Sequence, residues 1–208
     1  LLGAEDLQRL VRQEAAYKRF QLTESGISPR AQLGGANTVF WNTGDERDER
    51  GHISENPNNR TKMMEKRMRK LEVVEREIPA SEKINFFGEE GFATVVVSWG
   101  SPKGSILEAR ERLEAEGMKF NFVQVHVLHP FPAVEFSKLV SGANKIIDVE
   151  MSYSGQLAGI VREKTGIMIE DLILKYNGRP MSSDEVYGAI KSSLAGKAAR
   201  RQVLTHGA

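Results

Sequence analysis

The sequence contains no cysteine. Disulfides and a thiolate nucleophile are therefore excluded. Iron–sulfur clusters are normally held by cysteine thiolates, so this chain is not expected to hold one. No apolar run approaches the ~20 residues of a membrane-spanning helix, and no secretory signal stands at the start. An excess of one charge is missing too. Twenty-nine Lys and Arg against 28 Asp and Glu leave a net charge of +1, so no overall field points to nucleic acid or to an acidic membrane. No partner of either kind is expected, and these absences fit a cytoplasmic protein. No internal repeat is visible, and no Ser/His/Asp set stands at a recognisable nucleophile elbow.

What is present describes a soluble globular chain. Its 208 residues, 40% hydrophobic and 27% charged, suffice for one large domain or for a domain with a substantial arm. The chain opens on Leu1 inside a helical pattern, which reads as a piece of something longer. Residues 1 to about 20 are expected to be helical, with Leu7, Leu10, Val11, Ala15 and Phe20 on one rough face. Residues 21–42 are rich in Gly, Ser and Pro and read as an extended connector with turns. A very polar loop follows at 43–55. Asn56 and Pro57 then suit the N-cap and first turn of a helix. That helix carries an apolar stripe of Met64, Met68, Leu71 and Val74 and ends before Pro79.

From there strands and helices alternate. Strands are expected at 93–99, 121–128, 144–151 and 171–176. Helices are expected at 105–117, 133–140, 155–165 and from Ser183 or Asp184 to about Leu194. This alternation predicts an α/β fold with a mostly parallel sheet flanked by helices. The domains follow as a helix-and-loop arm at 1–80, an α/β domain at 81–195, and a basic, frayed tail at 196–208.

Several stretches hold chemistry-bearing residues. The loop "TGDERDERGHISENP" (43–57) offers Asp45, Asp48, His52 and neighbouring arginines. It fails the EF-hand spacing, because Arg47 and Glu49 stand where Asp or Asn is needed. Its lone His52 is too little for a transition-metal site. Paired charges at a subunit interface, or a solvated loop, are the better readings. "WGSPKGS" (99–105) lies between a strand and a helix, where a phosphate can bind. It matches neither the dinucleotide fingerprint nor the P-loop pattern, and a tight turn is preferred. His129 in "HPFP" is a lone histidine at a strand end, where a structural role is the better reading. Glu150, with Tyr153 and Gln156, closes the third strand at the edge where α/β ligands bind, yet could equally cap the next helix. The basic helix at 57–76 is interleaved with glutamates that oppose phosphate contacts, so a solvated or interfacial face is expected.

Six blocks occur in order: "YKRFQLTESGISPRA", "TGDERDERGHISENPNNRTKMMEKRMRKLE", "VSWGSPKGSILEA", "VQVHVLHPFP", "VEMSYSGQLA" and "ILKYNGRPMS". Together they resemble the C-terminal portion of the α subunit of 2-oxoacid:ferredoxin oxidoreductases, the KorA-like group that takes 2-oxoglutarate or pyruvate. Arg47 stands where that family often has His, and Ser152 where it often has Asn. The resemblance implies oxidative decarboxylation of a 2-oxoacid with coenzyme A, giving an acyl-CoA, carbon dioxide and reduced ferredoxin. It implies thiamine diphosphate, Mg²⁺ and an iron–sulfur cluster in the whole complex, with a β subunit carrying them. Ferredoxin, CoA and the rest of the α subunit are the other implied partners. Residues 1–80 would be the end of the pyrimidine-side thiamine domain with its linker, and 81–195 a domain like the C-terminal domain of transketolase. The resemblance places no catalytic, cofactor-binding or metal-ligating residue in this chain. Arg30, Asp45, Asp48, His52 and Glu150 are left as candidate interface residues. Two alternatives stand beside this one: the C-terminal domain of another thiamine enzyme of the transketolase or dehydrogenase kind, and a phosphate-ligand-binding α/β module.

Overall fold

A computed structural model describes residues 3–11, 16–89 and 93–206. The chain divides into two units, Leu1–Glu77 and Ile78–Ala208. Among the described residues no helix is long and apolar enough to cross a membrane.

The N-terminal unit holds helix α1 (Ala4–Val11), an irregular segment, and helix α2 (Pro57–Glu77). The helix expected to reach residue 20 is shorter, since residues 16–20 are not helical. The side chains of Leu7, Leu10 and Val11, and Ala15 as a whole, lie outside the described residues. Helix α2 begins as expected, with the Asn56 side chain accepting the Asn58 N–H at 2.9 Å. Its packed face is not the expected one. Met64 and Met68 are exposed, and Met63 and Val73 are buried instead, with Lys66 and Arg67 half-buried between them. Lys and Arg cover a packing surface with their aliphatic stems while the charge stays wet, and this hides the true face from a hydrophobicity pattern. Gly26, at φ +76°, decides what lies there. A Cβ on it would stand 2.4 Å from the Lys66 carbonyl oxygen and 2.8 Å from the Lys70 nitrogen. The connector therefore runs directly on the α2 backbone, which only glycine permits.

The C-terminal unit begins with a short helix α3 (Ala80–Lys83) and strand β1 (Ile84–Phe87), followed by β2 (Thr94–Trp99), α4 (Lys103–Ala115), β3 (Asn121–Val125) and α5 (Ala133–Leu139). Strand β4 (Lys145–Glu150), α6 (Gln156–Thr165), β5 (Asp171–Leu174), α7 (Ser183–Leu194) and β6 (Arg201–Val203) complete it. The six strands form one sheet in the order β1-β3-β2-β4-β5-β6. All pairs are parallel except β1 with β3. The mostly parallel α/β architecture agrees with the sequence pattern. The central strands are buried on both faces, and so read as continuous apolar runs.

Alternation along those strands feeds two cores. Val96, Phe122, Ile147, Val149 and Ile173 pack under α4 and α7 on one face. Val95, Val97, Val123 and Val125 pack under α5 and α6 on the other. Helix α7 starts from a capping box, in which Ser182 Oγ accepts the Glu185 N–H and Glu185 Oε2 accepts the Ser182 N–H.

Two strands were not expected. β1 is a four-residue edge strand, too short to show a period. β6 falls in the tail that the sequence marks as frayed, and this is a correction. Arg201–Val203 pairs with Leu172–Leu174, and the Leu204 N–H donates to the Leu174 carbonyl at 2.8 Å. The Lys175 ammonium is fully buried and donates to the His206 carbonyl, to Pro180 O at 2.8 Å and to Glu185 Oε2 at 2.6 Å. A buried charge needs such partners, and here one of them comes from the tail.

Candidate functional site at the carboxyl edge of the sheet

Strand β2 feeds α4 on one face of the sheet and β4 feeds α6 on the other. The neighbouring ends of β2 and β4 are therefore the switch point, where open α/β sheets leave a crevice. Trp99 and Glu150 meet across it. The Trp99 indole N–H donates to Glu150 Oε2 at 2.8 Å, Ser152 Oγ donates to Oε1 at 2.6 Å, and the Leu157 N–H at the start of α6 donates to Oε2 at 3.0 Å. Gly155, in the left-handed region, turns the chain into α6 and donates its N–H to Ser152 Oγ. Glu150 is fully buried. Its carboxylate faces the positive end of α6 and satisfies an N–H of the helix's first turn. Of the residues expected together at this edge, Glu150 is inside, while Tyr153 and Gln156 are exposed on the rim.

Asp148 lies two residues before Glu150, on the same face of β4. It too is fully buried. Its Oδ2 accepts the Ala158 N–H at 3.3 Å, and its Oδ1 has no hydrogen-bond partner among the described residues. Burial, and then the adjacent Glu150 charge, push its carboxyl well above the ordinary range, against the Ala158 N–H. The pair can hold a proton beneath the edge, but it presents no open acid–base group to a substrate.

The rim is aromatic. Tyr153 and Tyr176 meet edge-to-face at 4.9 Å, and the Arg201 guanidinium stacks 5.1 Å from the Tyr153 ring centre. Within the 99–105 stretch, residues 100–102 form the turn from β2 into α4, with Gly100 at φ +71°. Ser105 Oγ is bonded to the Met181 carbonyl at 2.8 Å, and the Lys103 ammonium lies 5.3 Å from the centre of the Phe87 ring. His129 is exposed and precedes a cis peptide bond to Pro130.

In the N-terminal unit the polar loop is a built turn. Arg47 and Ile53 form an antiparallel bridge, and Asp48 Oδ1 accepts the N–H groups of Arg50 at 2.8 Å and His52 at 3.0 Å. His52 Nδ1 stands 3.6 Å from Asp48 Oδ2. Burial pushes the Asp48 carboxyl up, but these N–H groups and the His52 charge outweigh it, so the carboxyl sits below its ordinary value. Asp45 and Arg30 are exposed, and neither forms an ion pair among the described residues.

The organising acid of this unit is Glu46, which the sequence reading passed over. Its side chain is 12% exposed and receives Arg67 at 2.7 Å and Arg60 at 2.7 Å. The Arg67 hydrogen bonds, opposed by burial and helped by the Arg47 N–H and Arg60, pull its carboxyl down to about 2. Nothing in the sequence separates Glu46 from its neighbours. Asp148 did leave a signal, two carboxylates spaced for one face of a strand, whereas Lys175 did not. Among the described residues no group of three or more His, Cys, Asp or Glu is placed to hold a metal ion.

Comparison with known proteins agrees with this architecture. A family model described as pyruvate:ferredoxin oxidoreductase core domain II matches residues 93–186. The chain is 47% identical over 191 residues to the 2-oxoacid:ferredoxin oxidoreductase subunit alpha of Saccharolobus solfataricus, covering 92% of this chain and 30% of that relative. It is 44% identical over 193 residues to subunit alpha of 2-oxoacid:ferredoxin oxidoreductase 2 of Aeropyrum pernix, covering 93% and 30%. Among solved structures it is similar to the 2-oxoglutarate:ferredoxin oxidoreductase from Magnetococcus marinus with 2-oxoglutarate, coenzyme A and succinyl-CoA bound. That match has a TM-score of 0.64 and 31% identity, and covers 87% of this chain and 31% of that one. The chain thus spans about three-tenths of the length of these relatives.

Proposed function

We propose, from the premise that the chain belongs to the family of 2-oxoacid:ferredoxin oxidoreductase α subunits, that it is the structural and subunit-contacting portion of such an α subunit. The assembled enzyme would convert a 2-oxoacid, coenzyme A and oxidised ferredoxin to an acyl-CoA, carbon dioxide and reduced ferredoxin. The observation that carries the scaffold role is the state of the switch-point crevice. The Glu150 carboxylate there is consumed by Trp99, Ser152 and the Leu157 N–H, and so braces the edge instead of offering itself to a substrate.

Thiamine diphosphate, Mg²⁺ and an iron–sulfur cluster belong to the activity proposed for the whole enzyme. The residues of this chain do not fit the two inorganic groups. It has no cysteine, and among the described residues no three His, Cys, Asp or Glu side chains gather around a common point. The reading therefore assigns all three to a β subunit, and the enzyme to a heteromer in the cytoplasm. Arg30, Asp45, Asp48 and His52 lie on the partner-facing side of the N-terminal unit in this proposal, and Glu150 supports the edge from within. The exposure of the consecutive residues Val39 (91%), Phe40 (38%) and Trp41 (63%) supports a contact role for this unit, because a contiguous exposed apolar patch marks an interaction surface.

The test is co-expression of the complete α subunit with a cysteine-bearing β subunit. Two outcomes are expected: 2-oxoacid- and CoA-dependent reduction of ferredoxin by the complex, and loss of co-purification on charge reversal at Arg30 and Asp45. Turnover by the isolated chain, or carbon–carbon transfer without ferredoxin reduction, would overturn the assignment.

A further inference from the structure

The connector and α2 enclose a cavity of about 520 Å³ in the N-terminal unit. Arg19, Arg30, Arg47, Lys66, Arg67 and Lys70 line it, and among the described residues no carboxylate does. Glu46 engages Arg67 from outside the lining. Arg19, Arg30, Lys66 and Lys70 form no ion pair among the described residues. Glu49 is near enough for Lys66 to feel it, but its two oxygens are taken by the Lys18 ammonium and the Leu22 N–H. Arg47 sends one nitrogen to Asn42, and its Nε is buried with no hydrogen-bond partner among the described residues. Burial first, then Lys70, Arg19 and Arg67, hold the Lys66 ammonium below its ordinary value, as expected where like charges crowd together.

The cavity is built into the unit. Gly26 lets the connector lie against the Lys66 and Lys70 backbone, and Ser28 Oγ ties the same segment to the Gln21 carbonyl at 2.9 Å. Arg19 is held over the Phe20 and Phe40 rings at 5.4 and 5.7 Å, and the wall includes buried Met63. Cations gathered around a space the size of a small-molecule site are complementary to a ligand carrying several negative charges. Guanidinium forks favour the paired oxygens of phosphate groups. A single carboxylate would leave most of the charge unmatched.

We propose that this cavity is a binding site for a small, multiply charged phosphate anion. The inference rests on the N-terminal unit alone and is independent of the enzymatic assignment above. Calorimetric titration of the purified chain with inorganic pyrophosphate tests it, with acetate at matched ionic strength as the comparison. One-to-one binding of pyrophosphate and none of acetate is expected, with affinity falling as salt rises from about 50 to 200 mM. Arg30→Gln and Lys70→Gln, each with an unchanged circular dichroism spectrum, are expected to weaken binding about tenfold or more. Lys103→Gln, at the start of α4 in the other unit, is expected to leave it unchanged. No pyrophosphate binding, or binding that survives both cavity substitutions, would overturn the proposal. So would loss of binding in Lys103→Gln alone, which would move the anion to the 99–105 turn.

Discussion

The two units are ordered by different forces. In the C-terminal unit a sheet buries valines, isoleucines and phenylalanines on both faces, and each fully buried side chain of this kind contributes roughly 1.5–3 kcal/mol. In the N-terminal unit Tyr17, Met63 and Val73 are the buried apolar side chains among the described residues. Its order rests on charge: Glu46 between Arg60 and Arg67, Glu49 with Lys18, and Asp48 with two backbone N–H groups. An apolar core has no charges for salt to screen or acid to titrate, whereas a frame of carboxylates is exposed to both effects. A protein can therefore carry one unit that keeps its own shape and one that responds to its surroundings.

The chain has two tryptophans, Trp41 in the first unit and Trp99 in the second, so single-tryptophan variants report each unit separately. The largest expected effect would breach the apolar unit with a charge. Lys175→Met leaves the Glu185 carboxylate, 7% exposed, without its ammonium partner, and a loss of about 3–5 kcal/mol is expected in urea unfolding followed at Trp99. An unchanged midpoint would remove the buried pair from the account.

Next comes Glu46→Gln, followed at Trp41, with an expected loss of about 1.5–3 kcal/mol at pH 7. Here the folded carboxyl titrates at about 2 against an ordinary 4.5. A lowered folded value stabilises above the ordinary value and is lost as pH falls through the folded one. The difference between parent and variant should therefore shrink between about pH 4.5 and 2, and a pH-independent difference would refute the ion-pair frame.

Gly26→Ala should cost about 1–3 kcal/mol, again in the first unit, because it forces a left-handed residue against the α2 backbone. The smallest change expected is Asp148→Asn at pH 4, where the parent carboxyl is still protonated. A raised folded value contributes stability below the ordinary value that is lost as pH rises. The variant should thus gain on the parent towards pH 8, and a parent that keeps pace would show Asp148 ionised at no cost.

Much of the second unit was legible, because its signals are local. Val95–Val97 and Ile146–Ile147 mark buried strands, and the helices lie close to where their amphipathic patterns put them. Strand β3 stops at Val125 although the apolar run goes on to Leu128; the N–H groups of His126 and Val127 turn to the Lys83 carbonyl instead. The candidate edge was half legible. Glu150 was found by its position at a strand end, but its burial and its tie to Trp99 were not, because that partner lies 51 residues away.

The sequence by itself determined the alternation of strands and helices, the Asn56 cap, and, through six ordered blocks, the family. These depend on neighbours along the chain or on the order of residues. Tertiary structure decided which charges are buried and whom they meet: Glu46 with Arg67, Lys175 with Glu185 and the tail, Asp148 with the start of α6. It also ordered β6 and chose the packed face of α2. A charged side chain reads the same in sequence whether solvated or enclosed, and the cost of enclosing it depends on donors and acceptors that only the folded chain brings together.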